Sequence, residues 1–254
     1  MKKVLTALAI ALCTATSLSI VSCGSDDDAK PLSVTPSSIS MKYDESQQLS
    51  SSGANSWCSE NEFVATVDQK GLVKGNHVGN TNIIASNGSS SGKCTVTITP
   101  KYNFFDLPVL NWGASETAIR NAETHGAAEK SGDYLLYGYS NGTIPVVVMY
   151  YFKNGALYSV NQLTASDYYA NAGLFLIERF QAIGESDGMY IFIDAMASKN
   201  AKTLAGLSYM TLSSKKYASI TYISNTVSSN KVSRRSMSVI PSDVIKIAER
   251  MLNQ

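Results

Sequence analysis

The stretch that decides the first fold runs Trp57-Cys58-Ser59-Glu60-Asn61-Glu62-Phe63-Val64-Ala65-Thr66-Val67-Asp68, then Gln69-Lys70-Gly71-Leu72-Val73-Lys74-Gly75, and, past 76–78, Gly79-Asn80-Thr81-Asn82-Ile83-Ile84-Ala85. Apolar and polar residues alternate over short runs and Gly, Asn or Asp closes each run, the pattern of half-buried strands joined by tight turns. The same texture extends upstream through Leu32-Ser33-Val34, Ser40-Met41 and Gln47-Gln48-Leu49, and downstream to Cys94-Thr95-Val96-Thr97-Ile98. This predicts an all-β sandwich over 32–100, with Val64, Val67, Val73 and Ile83 between its sheets. Gly71 is expected at a turn that needs positive φ, and His77 in a solvated loop.

Met1-Lys2-Lys3 followed by an apolar run from Val4 to Val21 has the build of a secretory leader. The alternative is a membrane-spanning helix, and Thr6, Thr14, Thr16, Ser17 and Ser19 make it a poor one. The run ends Ser19-Ile20-Val21-Ser22-Cys23, which resembles the lipobox of bacterial lipoproteins. That resemblance implies a signal peptide over 1–22 and a mature N-terminus at Cys23 carrying diacylglycerol and an acylated (palmitate-type) amine, a firm anchor. Gly24-Ser25-Asp26-Asp27-Asp28 is similar to the acidic export signal of Bacteroidetes lipoproteins, with Ser25, Asp26, Asp27 and Asp28 as the signal. It implies display on the outer face of the outer membrane, with 23–31 as an acidic tether.

The chain has 21 Lys+Arg against 20 Asp+Glu, a formal +1. Removing Lys2 and Lys3 with the leader leaves 21 − 2 = 19 bases against 20 acids, or −1. Near-neutrality argues against nucleic-acid binding. Two histidines in 254 residues leave little for acid–base or metal chemistry. Of the four cysteines, Cys13 leaves with the leader and Cys23 is acylated. Cys58 and Cys94 are then expected to form a disulfide in an oxidising compartment, with two free thiols or half a metal site as the alternatives, the latter lacking further ligands at a suitable spacing. Closing a loop of about 37 residues would add on the order of 4 kcal/mol.

The residues of the 57–85 stretch resemble the bacterial immunoglobulin-like group 2 (BIG2) family, a module that recurs in adhesins and surface lipoproteins. The resemblance implies display and contact: a rigid spacer that lifts another domain off the membrane, sometimes itself adhesive. The cysteine pair is a departure from many members of that family and suggests a staple between the Trp57 strand and the last strand.

Beyond Pro100 the texture changes, and 13 of the 14 tyrosines lie there. Ser115 can cap a helix to about His125, with Glu116 at its positive end and Gly126 as its stop. Strands follow at 133–140, 145–152 and 156–163, the last two joined by Lys153-Asn154-Gly155, a strong hairpin signal. A second helix is expected over 167–183 with Gly184 as its stop, then strands at 189–196, 204–212 and 217–224, and a last helix capped by Ser242. Residues 224–240 read as a loosely held connection. The expectation for 101–254 is an α+β domain, an antiparallel sheet with helices on one face. In architecture alone it is similar to PepSY and β-lactamase-inhibitor-like folds, periplasmic or secreted binding and inhibitory modules.

Gly138-Tyr139-Ser140-Asn141-Gly142 satisfies the nucleophile-elbow pattern by letter, but another strand follows, no histidine comes after it, and it reads as a hairpin turn. Among the acids of the second domain, Asp167 and Asp243 sit at helix starts, Glu178 and Glu249 are expected on outward helix faces, and Asp194 inside an apolar run stands out. No catalytic residue, metal site or cofactor is assigned. Alternate positions Tyr137, Tyr139, Tyr150, Tyr158, Tyr217 and Tyr222 could place phenols on the helix-free sheet face as a binding platform, but tyrosine in strands is common for packing reasons alone, and core or surface structure is the favoured reading. The expected function is a non-catalytic surface lipoprotein, an Ig-like spacer and a C-terminal binder of glycan or protein. An inhibitor or structural partner in an envelope complex, and a hydrolase, are the alternatives.

Overall fold

The computed structural model describes residues 31–225 and 240–253. The chain divides into two compact units between Pro100 and Lys101. Most of the 224–240 connection lies outside the described residues.

In the first unit, β1 (Ser38–Lys42), β2 (Ser46–Gln48), β3 (Ser56–Ser59), β4 (Ala65–Val67), β5 (Leu72–Gly75), β6 (Gly79–Ser86) and β7 (Ser91–Thr99) form two sheets, ordered β1-β7-β6-β3 and β2-β5-β4. Only β1 and β7 run parallel among the described pairs of this unit. Leu49, Trp57, Val64, Val73, Ile83, Val96 and Ile98 fill the core, with Val67 at its margin. Gly71 is required twice over. Its φ is +82°, and a Cβ would sit 2.8 Å from the Leu49 carbonyl oxygen and 3.1 Å from the Trp57 ring. Asp68 ties the same turn by accepting the Lys70 and Leu72 amides at 2.8 and 2.9 Å, bonds that hold its carboxyl below the usual range.

Two expectations fail here. No bond joins Cys58 to Cys94. Cys58 lies opposite Ile84 and Cys94 opposite Ile83, so β6 separates them. Two strand spacings, about 9.5 Å, exceed the roughly 7 Å limit for a bridge. Successive β6 residues also point to opposite faces, so Cys94 faces the core with Ile83 while Cys58 lies on the other side. An even cysteine count carries no information about register. Burial pushes the Cys94 thiol up. His77 is buried rather than solvated: its ring stacks on Phe63 at 4.0 Å and 6°, and Nδ1 lies 2.6 Å from the Phe63 carbonyl oxygen.

The second unit runs α1 (Glu116–Ala122), β8 (Glu129–Ser131), β9 (Tyr134–Asn141), β10 (Ile144–Lys153), β11 (Ala156–Ala165), α2 (Tyr169–Ile177), β12 (Gln181–Ser186), β13 (Met189–Ile193), β14 (Thr203–Leu212), β15 (Lys215–Ser224) and α3 (Ser242–Leu252). All eight strands form one antiparallel sheet, ordered β12-β13-β14-β15-β11-β10-β9-β8. A helix followed by a four-stranded meander therefore occurs twice, and the last strand of each copy pairs at the centre. The sequence pattern shows this repeat one strand short in each half. β8 is brief, and β12 occupies positions whose apolar spacing also fits a helix; α2 ends at Ile177 instead of near 183. Asn154 and Gly155, both at positive φ, form the predicted hairpin turn.

The sheet is apolar on both faces. Tyr137, Val148, Tyr150, Val160, Leu207 and Tyr222 pack with Ile119 of α1 and Phe175 and Leu176 of α2. Leu136, Val147, Met149, Leu163, Leu212 and Tyr217 pack with Val244, Ala248 and Leu252 of α3. The α+β class stands, and the first two helices share a face as expected. The third covers the opposite one, because alternate residues of β9 and β10 are apolar on both sides.

Glu178 is not on an outward face. It is fully buried, and Oε2 accepts the amides of Lys101 and Tyr102 at 2.8 and 2.9 Å, while the Arg179 guanidinium donates to Oε1. Arg179 in turn lies over the Phe175 ring at 4.0 Å. A helix end thus fastens the chain at the first residues of the unit.

Candidate functional site

Cys23, Ser25, Asp26, Asp27 and Asp28 lie outside the described residues. The six tyrosines do not form a platform on one free face, and most of them pack in the cores, the reading favoured from the sequence. Tyr137, Tyr150 and Tyr222 are in the core beneath α1 and α2, Tyr217 is in the opposite core beneath α3, and Tyr139 and Tyr158 are half-buried.

What covers the first-half phenols is the irregular segment 101–114. The Asp106 amide and Gln162 Nε2 each donate to the Tyr139 hydroxyl at 3.0 Å. The Val109 amide donates to the Tyr150 hydroxyl at 3.0 Å, Tyr150 donates to Glu123, and Tyr222 donates to Gln162 Oε1 at 3.1 Å. Burial pushes Tyr139 up to about 12 and raises Tyr150 and Tyr222 as well, so these phenols serve as neutral hydrogen-bonding posts. His125 stacks on Tyr139 at 3.9 Å and 14°. Its Nδ1 lies 2.5 Å from Glu123 Oε1 and its Nε2 3.1 Å from Asp106 Oδ2, so the ring bridges the two carboxyl groups. Spacing alone does not bring Asp106, Glu123 and His125 together.

Ser140 lies in a β9–β10 ladder opposite Pro145, and Gly142 turns that hairpin at φ +60°, as the pattern of letters and strands implies. Asp194 accepts the Lys202 and Thr203 amides at 2.7 and 3.0 Å. It closes the loop between β13 and β14, a local task that explains a carboxylate after an apolar run.

The solvent-facing aromatic surface is elsewhere. Tyr190 is 49% exposed and Tyr209 39%, and no segment comparable to 101–114 lies over them among the described residues. Tyr190 of β13 faces the same side as its partners Glu185 on β12 and Leu207 on β14, so Tyr209 stands diagonally across from it on the α2 side. Tyr209 is clamped: Tyr169 stacks on it at 4.1 Å and 17°, and Lys216 Nζ lies 3.6 Å from its ring centre. Burial pushes the Tyr169 phenol up, and nearby Tyr190, Tyr209 and Glu185 add to it. The result is a rigid Tyr169–Tyr209–Lys216 stack beside an uncovered Tyr190 ring, with a carboxylate next to it. Period-two alternation could have flagged Tyr190 and Tyr209, but nothing in the pattern tells which phenols a distant segment covers.

Residues 28–98 match the family model of the bacterial Ig-like domain (group 2), so the first unit is an Ig-like domain of that kind, followed by a β-rich domain with a C-terminal helix. No curated protein matches the chain. Among solved structures, domains 5 and 6 of the S-layer protein SbsC are similar at 12% identity, over 77% of this chain and 85% of that one, with a TM-score of 0.24. A likeness that slight bears on neither fold nor function here.

Proposed function

We propose that this chain is a non-catalytic, lipid-anchored binding module of the bacterial cell surface, in which the Ig-like domain is the spacer and the second domain contacts a glycan. The lipobox-like 19–23 segment and acidic 25–28 run support the anchor and its outward display, and the Ig-like match supports a surface setting. The observation that carries the binding role is the uncovered Tyr190 ring flanked by Glu185 and the Tyr169–Tyr209–Lys216 stack. A ring offers a sugar a large contact with little loss of conformational freedom, and a carboxylate and an ammonium supply hydrogen bonds at its rim.

Two experiments test the reading. Palmitate labelling of the parent and a Cys23→Ala variant, combined with protease shaving of intact cells, is expected to show label and surface cleavage in the parent and neither in the variant. A glycan array is expected to give hits that Tyr190→Ala weakens at least about tenfold without changing the unfolding midpoint. Hits insensitive to Tyr190→Ala, or none beside a co-purifying envelope protein, would overturn the glycan assignment.

A further inference from the structure

The outer face of the larger Ig-like sheet carries a separate polar surface. There β6 presents Asn80 and Asn82, β7 presents Thr95 and Thr97, and Glu60 and Asn61 follow β3. The register sets Asn82 opposite Thr95 and Asn80 opposite Thr97, in two rows about 7 Å apart along the strands. In the first row the Thr95 hydroxyl donates to Asn82 Oδ1 at 3.3 Å and Asn82 Nδ2 donates to Glu60 Oε2 at 2.8 Å. In the second, Thr97 donates to Asn80 Oδ1 at 2.8 Å. These bonds fix which way each amide faces. The rows border a hollow of about 330 Å³ lined by Glu60, Asn61, Asn80, Thr81, Asn82 and Thr95.

Several groups at this hollow are unused by the described hydrogen bonds. They are the Asn80 Nδ2 hydrogens, the second Asn82 Nδ2 hydrogen, Glu60 Oε1, and the side-chain Nδ2 of Asn61, whose Oδ1 accepts from the Phe63 amide at 3.2 Å. The lining holds no Lys, Arg or His and one carboxylate, so an anionic ligand meets Glu60 and finds no counter-charge in the lining itself, Lys93 being exposed one row beyond Thr95 on β7. A carboxylate beside oriented amides suits neighbouring hydroxyls on a sugar ring: the carboxylate accepts from one O–H while an amide donates to the next oxygen. A hollow of a few hundred cubic ångströms suits a small ligand.

We propose that this hollow is a binding site for a short neutral saccharide, so that the Ig-like domain contacts ligand as well as spacing. The site lies in the other domain from Tyr190 and stands or falls separately. The test is an NMR titration of the isotope-labelled full chain with maltotriose, laminaritriose, triacetylchitotriose and, as the anionic control, trigalacturonate. At least one neutral probe is expected to shift the amide signals of residues 60, 61, 80, 82 and 95, and trigalacturonate to leave them unmoved. Asn80→Asp and Glu60→Gln, both at exposed positions, are each expected to weaken that binding at least about tenfold with an unchanged unfolding midpoint, and Tyr190→Ala to leave it intact. No shift with any neutral probe, shifts confined to other residues, or full binding in both variants would overturn the proposal.

Discussion

Glu178 offers a direct test of how the second domain holds its own beginning. The carboxylate is fully buried and accepts three hydrogen bonds, two from the Lys101 and Tyr102 amides and one from Arg179, itself nearly buried. Glu178→Ala would strand both amides and leave a guanidinium inside without its counter-charge, for which about 4 kcal/mol is expected. Glu178→Gln keeps an oxygen for the amides but turns an NH2 toward Arg179, and about 2 kcal/mol is expected. For a domain of this size these losses lower the midpoint by about 12 °C and about 6 °C. The two tryptophans allow domain-specific readout, since Trp57 belongs to the first domain and Trp112 to the second. Thermal unfolding in a Trp57→Phe background, followed by Trp112 fluorescence, measures the second transition. A Glu178→Ala midpoint equal to that of the Trp57→Phe parent would refute the reasoning.

Further outcomes are expected. Dithiothreitol should leave the first domain's unfolding midpoint unmoved, because Cys58 and Cys94 share no bond and sit on opposite faces of their sheet; a reductant-dependent shift in calorimetry would contradict that register. Ser213 and Ser214 turn the β14–β15 hairpin at φ +40° and +72°, values that suit Asn and Gly. The Ser213→Asn, Ser214→Gly double variant should therefore gain about 1 kcal/mol in urea unfolding. The Ser131 hydroxyl and the amides of Asp243 and Val244 hold the Asp243 carboxyl below the usual range. A carboxyl depressed on folding contributes stability above its unfolded value, about 3.9, and loses it as pH falls through the folded value. Ser131→Ala should narrow the stability difference between neutral and acidic urea titrations.

Much of the architecture is legible because local chemistry and tertiary demand agree. Asn154-Gly155 has one favoured turn, and the β10 and β11 ends fall within a few residues of where the sequence places them. The Gly71 turn, the Val73 and Ile83 core positions and the Ser115 cap, whose side chain accepts the Ala118 amide at 3.3 Å, follow the same logic. Where the reading fails, the missing information is long-range. Phe180 and Ile183 continue the helical spacing of α2, yet the sheet captures 181–186 as β12. Glu178 looks solvated on its own helix because its partners lie at 101–102, and His77 looks solvated because Phe63 is brought onto it by the fold.

The tyrosines carry the same lesson into the site. In both halves of the repeat, alternation places phenols on the α1/α2 side of the sheet, Tyr137, Tyr139 and Tyr150 in one and Tyr190, Tyr209 and Tyr222 in the other. Their strand chemistry is alike, so intrinsic preference cannot decide which become surface. What decides is the segment 101–114, fastened at its start by Glu178 and along its length by Tyr139, Tyr150 and Gln162, which lies over the first half. At the outer part of the second half the backbone instead goes into β12, whose side chains are mostly exposed and which carries a bulge at Ala182–Gly184, a feature that discourages edge pairing. Duplication supplies two similar surfaces, and an unrepeated N-terminal segment closes one of them. The ring left uncovered is consequently Tyr190, at a position that strand pattern alone ranks no higher than Tyr137 or Tyr150.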